Sequence, residues 1–218
     1  MDARSRPGRP AFAAVILAAG AGSRFVPTQG SKLLADLHGR PVLEHVLVAV
    51  RAFGPRVSIV VVGHDAEALE HAIDWSGELR VRNRQPERGL ASSLKVGFRA
   101  LEMLPGSDTV SGAFVILGDQ PHLRAAVLLA LVDAAPRAAA QARAVIVPTY
   151  DQSPGPRNPV LLLPAAWGLV QEVRGDRGLA HLIDSRPDLV LEVAVAGDMP
   201  DVDTPEDLER LRLSLDAS

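Results

Sequence analysis

The chain has 218 residues, 47% of them hydrophobic, which is enough to bury a core and excludes a disordered or collagen-like chain. Aromatic residues make up 4%, and 26 acidic residues outnumber 23 basic ones, which argues against single-stranded nucleic-acid platforms and DNA-binding surfaces. The absence of cysteine excludes thiol catalysis, disulfides and cysteine-ligated zinc. Only two of the basic residues are lysines, Lys32 and Lys95, and both therefore merit attention.

The amino terminus resembles a short secretory signal, because arginines precede the apolar run at 11–19. A flexible basic tail at 1–10, followed by a buried strand at 13–18, is the favoured interpretation, since the apolar run is short for a signal. No stretch reaches the roughly 18 apolar residues that a membrane span needs. We therefore expect a cytoplasmic protein with one domain over 11–218 and no membrane or nucleic-acid partner.

Apolar runs alternate with helical patterns along the rest of the chain. Strands are predicted at 57–62, 113–117, 144–147, 159–163 and 189–195. Helices are predicted at 42–52, 66–73, 91–103 and 123–134, and a closing helix from the N-cap Thr204 to about residue 213. This alternation predicts a three-layer α/β/α domain with a mostly parallel, Rossmann-like sheet.

A glycine turn follows the first strand, in the segment Leu17-Ala18-Ala19-Gly20-Ala21-Gly22-Ser23-Arg24. Small residues let the backbone approach a ligand, and consecutive N–H groups bind anions. Phe25 replaces the third glycine of the dinucleotide fingerprint, and no Gly-Lys pair forms a Walker motif. Arg24 and Lys32 would supply charge to a polyphosphate; a tight structural turn with two solvated basic residues is the alternative.

Carboxylates of interest occur in two further segments. Asp119 ends an apolar strand, where ligands bind in such sheets and where Mg²⁺ takes one or two carboxylates with substrate phosphates; a simple turn is the alternative. Asp201 and Asp203 alternate before the last helix and would face one ion from an extended segment. Favourable interaction with the helix dipole is the alternative explanation for this pair.

The glycine turn, followed by Lys-Leu-Leu at 32–34, resembles the opening of nucleotidyltransferases with the glycosyltransferase-A-like (nucleotide-diphospho-sugar transferase) fold. Within these, it most resembles the molybdenum cofactor cytidylyltransferases. The resemblance implies that residues 17–23 hold the nucleotide phosphates and that Arg24 and Lys32 contact them with charge. It also implies that Asp119, in Gly-Asp-Gln-Pro, and Asp203, favoured over Asp201 in Asp-Val-Asp-Thr-Pro-Glu-Asp-Leu, bind Mg²⁺.

Three other segments extend the resemblance. Gly89, Ser92 and Ser93 match a family segment over the base and ribose, although Ala91 replaces its first serine. The segments that contain Asn158-Pro159 and Asp176-Arg177 also match the family, and the resemblance implies that they form an acceptor side facing a pterin phosphate. Its residues are Gln120, Asn158, Pro159, Asp176 and Arg177.

The resemblance implies transfer of CMP from CTP onto a phosphate of molybdopterin, with Mg²⁺ as cofactor and pyrophosphate as leaving group. The Ala-Ala-Gly form of the turn at Ala19 favours the cytidylyl over the guanylyl branch. A molybdoenzyme or chaperone that receives the product is the implied partner. The alternatives are an oxidoreductase similar to a reductase of a nicotine-derived pigment, a non-catalytic nucleotide-binding regulator, and a nucleotidyltransferase acting on a sugar or polyol phosphate.

Overall fold

The computed structural model describes residues 11–20, 31–152, 155 and 157–215. The strands in this part of the chain are β1 (Phe12–Ala18), β2 (Asp36–Leu37), β3 (Arg40–Pro41), β4 (Val57–Val62), β5 (Leu79–Arg82), β6 (Gly112–Leu117), β7 (Val145–Tyr150), β8 (Val160–Leu162) and β9 (Val190–Val195). The α-helices are α1 (Val42–Phe53), α2 (Ala66–Ala72), α3 (Leu90–Glu102), α4 (Ala125–Ala140), α5 (Leu179–Ser185) and α6 (Pro205–Leu215).

A mostly parallel sheet of seven strands organises these residues. Its order is β5-β4-β1-β6-β8-β7-β9, and β2 and β3 form a separate hairpin. β1 lies between β4 and β6 and is parallel to both, whereas β8 is antiparallel to both of its neighbours. The carboxyl ends of β1, β4 and β6 therefore meet at one edge of the sheet, where ligands bind in open α/β folds.

Helices cover both faces of the sheet, as neighbouring side chains of β1 show. Ile16 packs into a core that includes α1 and α4, whereas Val15 packs on the opposite face against α3. All seven residues of β1 are buried, which explains why its apolar run is continuous rather than alternating. Full burial of an aliphatic side chain contributes about 1.5–3 kcal/mol, so both helical layers stabilise β1 at the centre.

A glycine lets α3 approach the sheet closely. A Cβ atom at Gly97 would lie 2.4 Å from Cγ1 of Val15 and 3.0 Å from Cγ2 of Val61, so a larger residue would push the helix away. Because α3 follows β5 in the chain, its first turn lies at the carboxyl edge of the sheet. The helix thereby brings the segment after β5 to the ends of β1 and β6.

The predicted three-layer fold with its mostly parallel sheet is confirmed. The strand predicted at 57–62 has the bounds observed for β4. The strand predicted at 159–163 is shorter, as β8, and it runs antiparallel. The sequence did not predict α5, which is only seven residues long.

The prediction for α4 is wrong at its carboxyl end. The sequence favours a stop before Pro136, but the helix continues to Ala140 with Pro136 inside it. Proline removes one backbone hydrogen bond, and fully buried Ala138 shows that the helix still packs against the core beyond it. Within the ranges given above, no helix is both long and apolar enough to cross a lipid bilayer.

Candidate active site

Lys32, Asp119 and Asp203 meet at the carboxyl edge of the sheet. Lys32 opens the short 3₁₀ turn Lys32–Leu34 and is only 8% exposed. Its Nζ donates to Oδ2 of Asp119 at 2.5 Å and to Oδ1 of Asp203 at 2.9 Å. The two carboxylates therefore face one common cation position.

The carboxylates keep the Lys32 ammonium charged. Burial alone lowers the pKa of Lys32, but the charges of Asp119 and Asp203 and their hydrogen bonds outweigh burial and raise the pKa above 10.5. At neutral pH the site therefore contains a permanent buried cation between two acidic side chains. A triphosphate or a metal ion that enters has to exchange with these contacts.

Backbone contacts bring Asp119 and Asp203 together. Asp119 directly follows the Gly118 turn at the end of β6, and its carbonyl oxygen accepts from the N–H of Val202 at 2.9 Å. Val202 is fully buried in a small apolar cluster with Leu37. Val202 is thus held through both its backbone N–H and its side chain, and this contact places the next residue, Asp203, close to Asp119.

A capping box fixes the start of α6. Oδ2 of Asp207 accepts from the backbone N–H of Thr204 at 2.8 Å and of Asp203 at 3.1 Å, while the N–H of Asp207 donates to the Thr204 hydroxyl at 3.2 Å. Burial raises the pKa of Asp207, but the hydrogen bonds from Thr204 and Asp203 outweigh it and lower the pKa. The predicted N-cap is present, and the cap also orients the backbone of Asp203.

Asp201 has a different partner from Asp203. Nε2 of Gln120 donates to Oδ1 of Asp201 at 2.6 Å, and Gln120 is 2% exposed. Asp201 and Asp203 thus have different hydrogen-bond partners, Gln120 and Lys32. Burial and the nearby charge of Asp119 raise the pKa of Asp201, so it still lies close to the cluster, and the predicted common ion stays a prediction. Gln120 is buried against Asp201 in this arrangement, and its predicted contact with an acceptor stays a prediction.

Two glycines flank the end of β1. A Cβ atom at Gly63 would lie 2.7 Å from the carbonyl oxygen of Ala19, and one at Gly118 would lie 3.1 Å from that of Leu17. Ala18 and Ala19 are buried, whereas Gly20 is exposed at the sheet edge. The other predicted phosphate-binding residues, Ala21, Gly22, Ser23 and Arg24, lie outside the described residues.

The segment around Gly89 packs against the loop at 175–178. Gly89 has φ +86°, and a Cβ atom there would lie 2.4 Å from Oδ1 of Asp176 and 2.7 Å from the carbonyl carbon of Gly175. The N–H of Ala91 donates to the carbonyl oxygen of Gly175 at 3.0 Å. The predicted nucleotide segment and the predicted acceptor loop are therefore direct neighbours, and only glycine fits between them.

Asn83 organises the predicted nucleotide segment, although sequence analysis assigned it no role. Its Nδ2 donates to the hydroxyls of Ser92 at 2.8 Å and Ser93 at 3.0 Å, and its Oδ1 accepts from the N–H of Gln85 at 2.9 Å. Asn83 is 4% exposed and satisfies all these groups at once. The available sequence signal was a polar residue at the carboxyl end of a strand, just before the glycine-serine segment.

A cavity of about 360 Å³ opens between α3 and α5. Its floor is apolar, and Leu17 and Leu117, which pair across β1 and β6, belong to it. Asn158 and Arg177, two of the predicted acceptor residues, line its polar side. The other described lining residues are Leu90, Leu94, Val115, Gly155, Arg157, Val160, Gly178, Leu179, Ala180, Ile183 and Asp184.

The remaining predicted acceptor residues lie around this cavity. Pro159 follows Asn158 through a cis peptide bond, and the carbonyl oxygen of Asn158 accepts from the Tyr150 hydroxyl at 2.7 Å. Asp176 abuts Gly89, as described above. Lys95, the second lysine, is half-buried on α3 and shows no hydrogen bond or ion pair to a carboxylate among the described residues.

In the part of the chain that the structure describes, no group of three or more histidine or acidic side chains is arranged to hold a metal ion. The arrangement present is a pair of carboxylates on one cation. Mg²⁺ commonly uses one or two protein carboxylates and completes its shell with phosphate oxygens and water. Asp119 and Asp203 have the donor chemistry and the shared cation position that such an ion requires.

The sequence of residues 14–190 matches the MobA-like NTP transferase domain. The chain is 32% identical over 140 residues to the bifunctional protein GlmU of Sphingopyxis alaskensis, and 38% identical over 122 residues to GlmU of Burkholderia ambifaria. These alignments cover 64% and 56% of this chain but 29% and 25% of the two GlmU proteins. The chain thus spans less than a third of the length of these curated relatives.

Solved structures resemble the whole fold. Rv0371c from Mycobacterium tuberculosis H37Rv superposes with a TM-score of 0.78 and 28% identity, over 94% of this chain and 99% of that chain. A structure of Rv0371c in complex with manganese gives a TM-score of 0.76 and 29% identity, with the same coverage.

Proposed function

The chain belongs to the MobA-like NTP transferase family, and from this premise we propose that it transfers CMP from CTP onto a phosphate of a molybdopterin-type acceptor. The observation that carries the proposal is the Lys32 ammonium between Asp119 and Asp203 at the carboxyl edge of the sheet. Phosphoryl transfer depends on positioning and charge neutralisation, and this cluster offers a cation and two potential metal ligands.

In the proposed reaction, an oxygen of the acceptor phosphate attacks the α-phosphorus of the triphosphate. A new P–O bond forms, the bond from the α-phosphorus to its bridge oxygen breaks, and pyrophosphate leaves with that electron pair. A phosphate monoester is largely deprotonated at neutral pH, so the attack needs no general base. The protein therefore needs no covalent nucleophile, consistent with a chain that has no cysteine.

Asp119 and Asp203 are the residues that would hold Mg²⁺, because they already share one cation position. The bound ion would neutralise the charge that develops on the phosphate oxygens. Asp201 is less suited, since Gln120 holds its carboxylate. Lys32 would release at least one carboxylate and become free to donate to a phosphate. The structure of Rv0371c in complex with manganese supports the use of a divalent ion.

The nucleotide would lie across the end of β1 and the segment that begins at Gly89. The backbone at 17–20, with Ala21, Gly22, Ser23 and Arg24 as predicted additions, would contact the phosphates. Ser92 and Ser93, which Asn83 orders, would lie near the base and ribose. The proposal of CTP rather than GTP rests on Ala19, because the Ala-Ala-Gly form of the turn resembles the cytidylyl branch of the family.

The acceptor would occupy the cavity that Leu17 and Leu117 border. Its apolar floor favours a ligand with a flat or apolar body, because a sugar would leave its hydroxyls without partners there. Asn158 and Arg177 would contact the polar part of the acceptor. A pterin phosphate would place its flat ring on the apolar floor and its polar groups at the rim, and a molybdoenzyme or chaperone would then receive the product.

A substrate panel tests this proposal. Purified protein with Mg²⁺ and molybdopterin is incubated with CTP, GTP, ATP or UTP, and pyrophosphate release is measured; a hexose 1-phosphate serves as the alternative acceptor. We expect release that requires molybdopterin and is fastest with CTP. Turnover only with the sugar phosphate would contradict the proposal that molybdopterin is the acceptor. Absence of pyrophosphate, together with consumption of a reduced nicotinamide cofactor, would indicate an oxidoreductase, and CTP binding without any turnover would indicate a regulator.

A further inference from the structure

Two arginines at the rim of the cavity share one carboxylate. Nη1 of Arg157 lies 3.1 Å from Oδ1 of Asp184, and Nη2 of Arg177 lies 2.9 Å from Oδ2 of the same residue. Arg157 precedes β8, Arg177 precedes α5, and Asp184 lies near the end of α5. Three separate positions in the chain therefore converge on a single ionic group.

This group is the charged part of the cavity wall. Among the described lining residues, Arg157 and Arg177 carry the positive charges and Asp184 the negative charge, so the rim has a net charge of about +1. All three side chains are between 41% and 66% exposed, so these ion pairs are weak and open to exchange with a solute. An anion that enters the cavity therefore meets the rim as its main electrostatic partner.

We propose that Asp184 is an internal counter-anion that occupies the arginine pair until the phosphate of the acceptor replaces it. This inference rests on the proposed function only in naming the cavity as the acceptor site. A phosphate monoester carries a charge between −1.5 and −2, so it binds two guanidinium groups more strongly than one carboxylate does. Asp184 is thereby a specificity-determining residue that keeps weakly charged anions out.

The same exchange distinguishes acceptor from product. Nucleotidyl transfer converts the monoester phosphate into part of a diphosphate, and that phosphorus then carries a single negative charge. Asp184 competes better with the singly charged group, so its return to the arginines favours product release. A second cavity of about 570 Å³ is lined by Arg157 and Asp184, with Arg143 and Glu192 also in its wall, and it would give the displaced carboxylate space.

Calorimetric binding of phenyl phosphate and of neutral benzamide tests the inference without any nucleotide. We expect the Asp184→Asn variant to bind phenyl phosphate about 3- to 10-fold more tightly than the unmodified protein, the worth of an exposed ion pair, and benzamide equally well. Arg157→Gln should weaken the binding of phenyl phosphate and leave the binding of benzamide unchanged. Asp188→Asn is the matched control, because Asp188 pairs with Arg186 in another exposed pair outside the cavity lining.

Unchanged affinity of Asp184→Asn for phenyl phosphate would overturn the inference, and so would an equal gain for benzamide. These measurements do not involve pyrophosphate release. If Asp184→Asn binds phenyl phosphate as expected while the substrate panel shows no turnover, the anion site stands and the proposed function fails. If Asp184→Asn binds phenyl phosphate no more tightly while the substrate panel shows turnover, the counter-anion role is rejected and the proposed nucleotidyl transfer is retained.

Discussion

Asn83 shows how a single buried residue can determine the shape of a binding segment. Its amide hydrogens are used by Ser92 and Ser93, and its oxygen by the backbone of Gln85. The hydroxyls of both serines consequently have defined acceptor roles, which limits how they can turn toward a nucleotide. Asn83 is therefore a positioning residue in this account, not a catalytic one.

The variant Asn83→Asp retains the shape and the oxygen that Gln85 needs, but it removes the amide donor to the serines. We expect the KM for the triphosphate to rise about 5- to 150-fold with little change in kcat, since two hydrogen bonds are lost at about 0.5–1.5 kcal/mol each. Steady-state kinetics measure both constants. Gln141→Glu introduces the same charge at an exposed position after α4 and should leave both constants unchanged. A fall in kcat at constant KM would refute the positioning role.

The sequence predicts Lys32, Asp119 and Asp203 individually as site residues, but it does not show that they form one cluster. Lys32 is 87 positions from Asp119 and 171 from Asp203, and their contact depends on how β1, β6 and the segment before α6 come together. The sequence also could not show that Asp201 and Asp203 have different hydrogen-bond partners. Extended backbone places them on one side, and only the tertiary contact with Gln120 distinguishes them.

At the scale of elements, the sequence predicts largely buried strands best, because a continuous run of β-branched residues has few other structural uses. β4 illustrates this with its predicted bounds of 57–62. Helix ends are harder to predict, as α4 shows: local preference stops it before Pro136, while tertiary burial of Ala138 extends it. Short elements such as α5 depend on packing against neighbours and leave little periodic signal.

A buried ion pair joins α1 to the segment that enters β5. Nε of Arg51 donates to Oε1 of Glu78 at 2.7 Å, and the N–H of Ser76 donates to Oε2 at 2.6 Å, with the Glu78 side chain 3% exposed. Burial raises the pKa of Glu78, but these hydrogen bonds outweigh it and lower the pKa below 4.5. The pair therefore contributes its full stability above pH 4.5 and loses it as the pH falls through the lowered pKa.

We expect Glu78→Gln to decrease the free energy of unfolding at pH 7 by about 1–3 kcal/mol, because a charged hydrogen-bond acceptor is replaced by a neutral one. The difference from the unmodified protein should shrink in acid, where Glu78 becomes protonated. Urea denaturation at pH 7 and at acidic pH measures this. Glu70→Gln removes an exposed pair with Arg80 and should have little effect. A pH-independent difference would show that the ion pair is not its cause.

At the scale of the whole molecule, the sheet brings the charged cluster and the apolar cavity to the same edge. The cluster of Lys32, Asp119 and Asp203 lies at the ends of β1 and β6, and the apolar cavity begins at Leu17 and Leu117 of the same two strands. The contact of Gly89 with Gly175 joins the nucleotide segment to the acceptor loop. The proposed nucleotide site and the proposed acceptor cavity therefore share the strands β1 and β6 and the contact at Gly89.

The most direct test of metal-assisted nucleotidyl transfer is pyrophosphate release by the Asp119→Asn variant, with CTP, Mg²⁺ and molybdopterin. Asp198→Asn, which changes a half-exposed carboxylate paired with His122, is the matched control, and circular dichroism verifies that both variants fold. We expect at least a hundredfold loss of turnover for Asp119→Asn, the scale seen when a preorganised charge is removed, and none for the control. Undiminished pyrophosphate release by a folded Asp119→Asn variant would contradict this expectation.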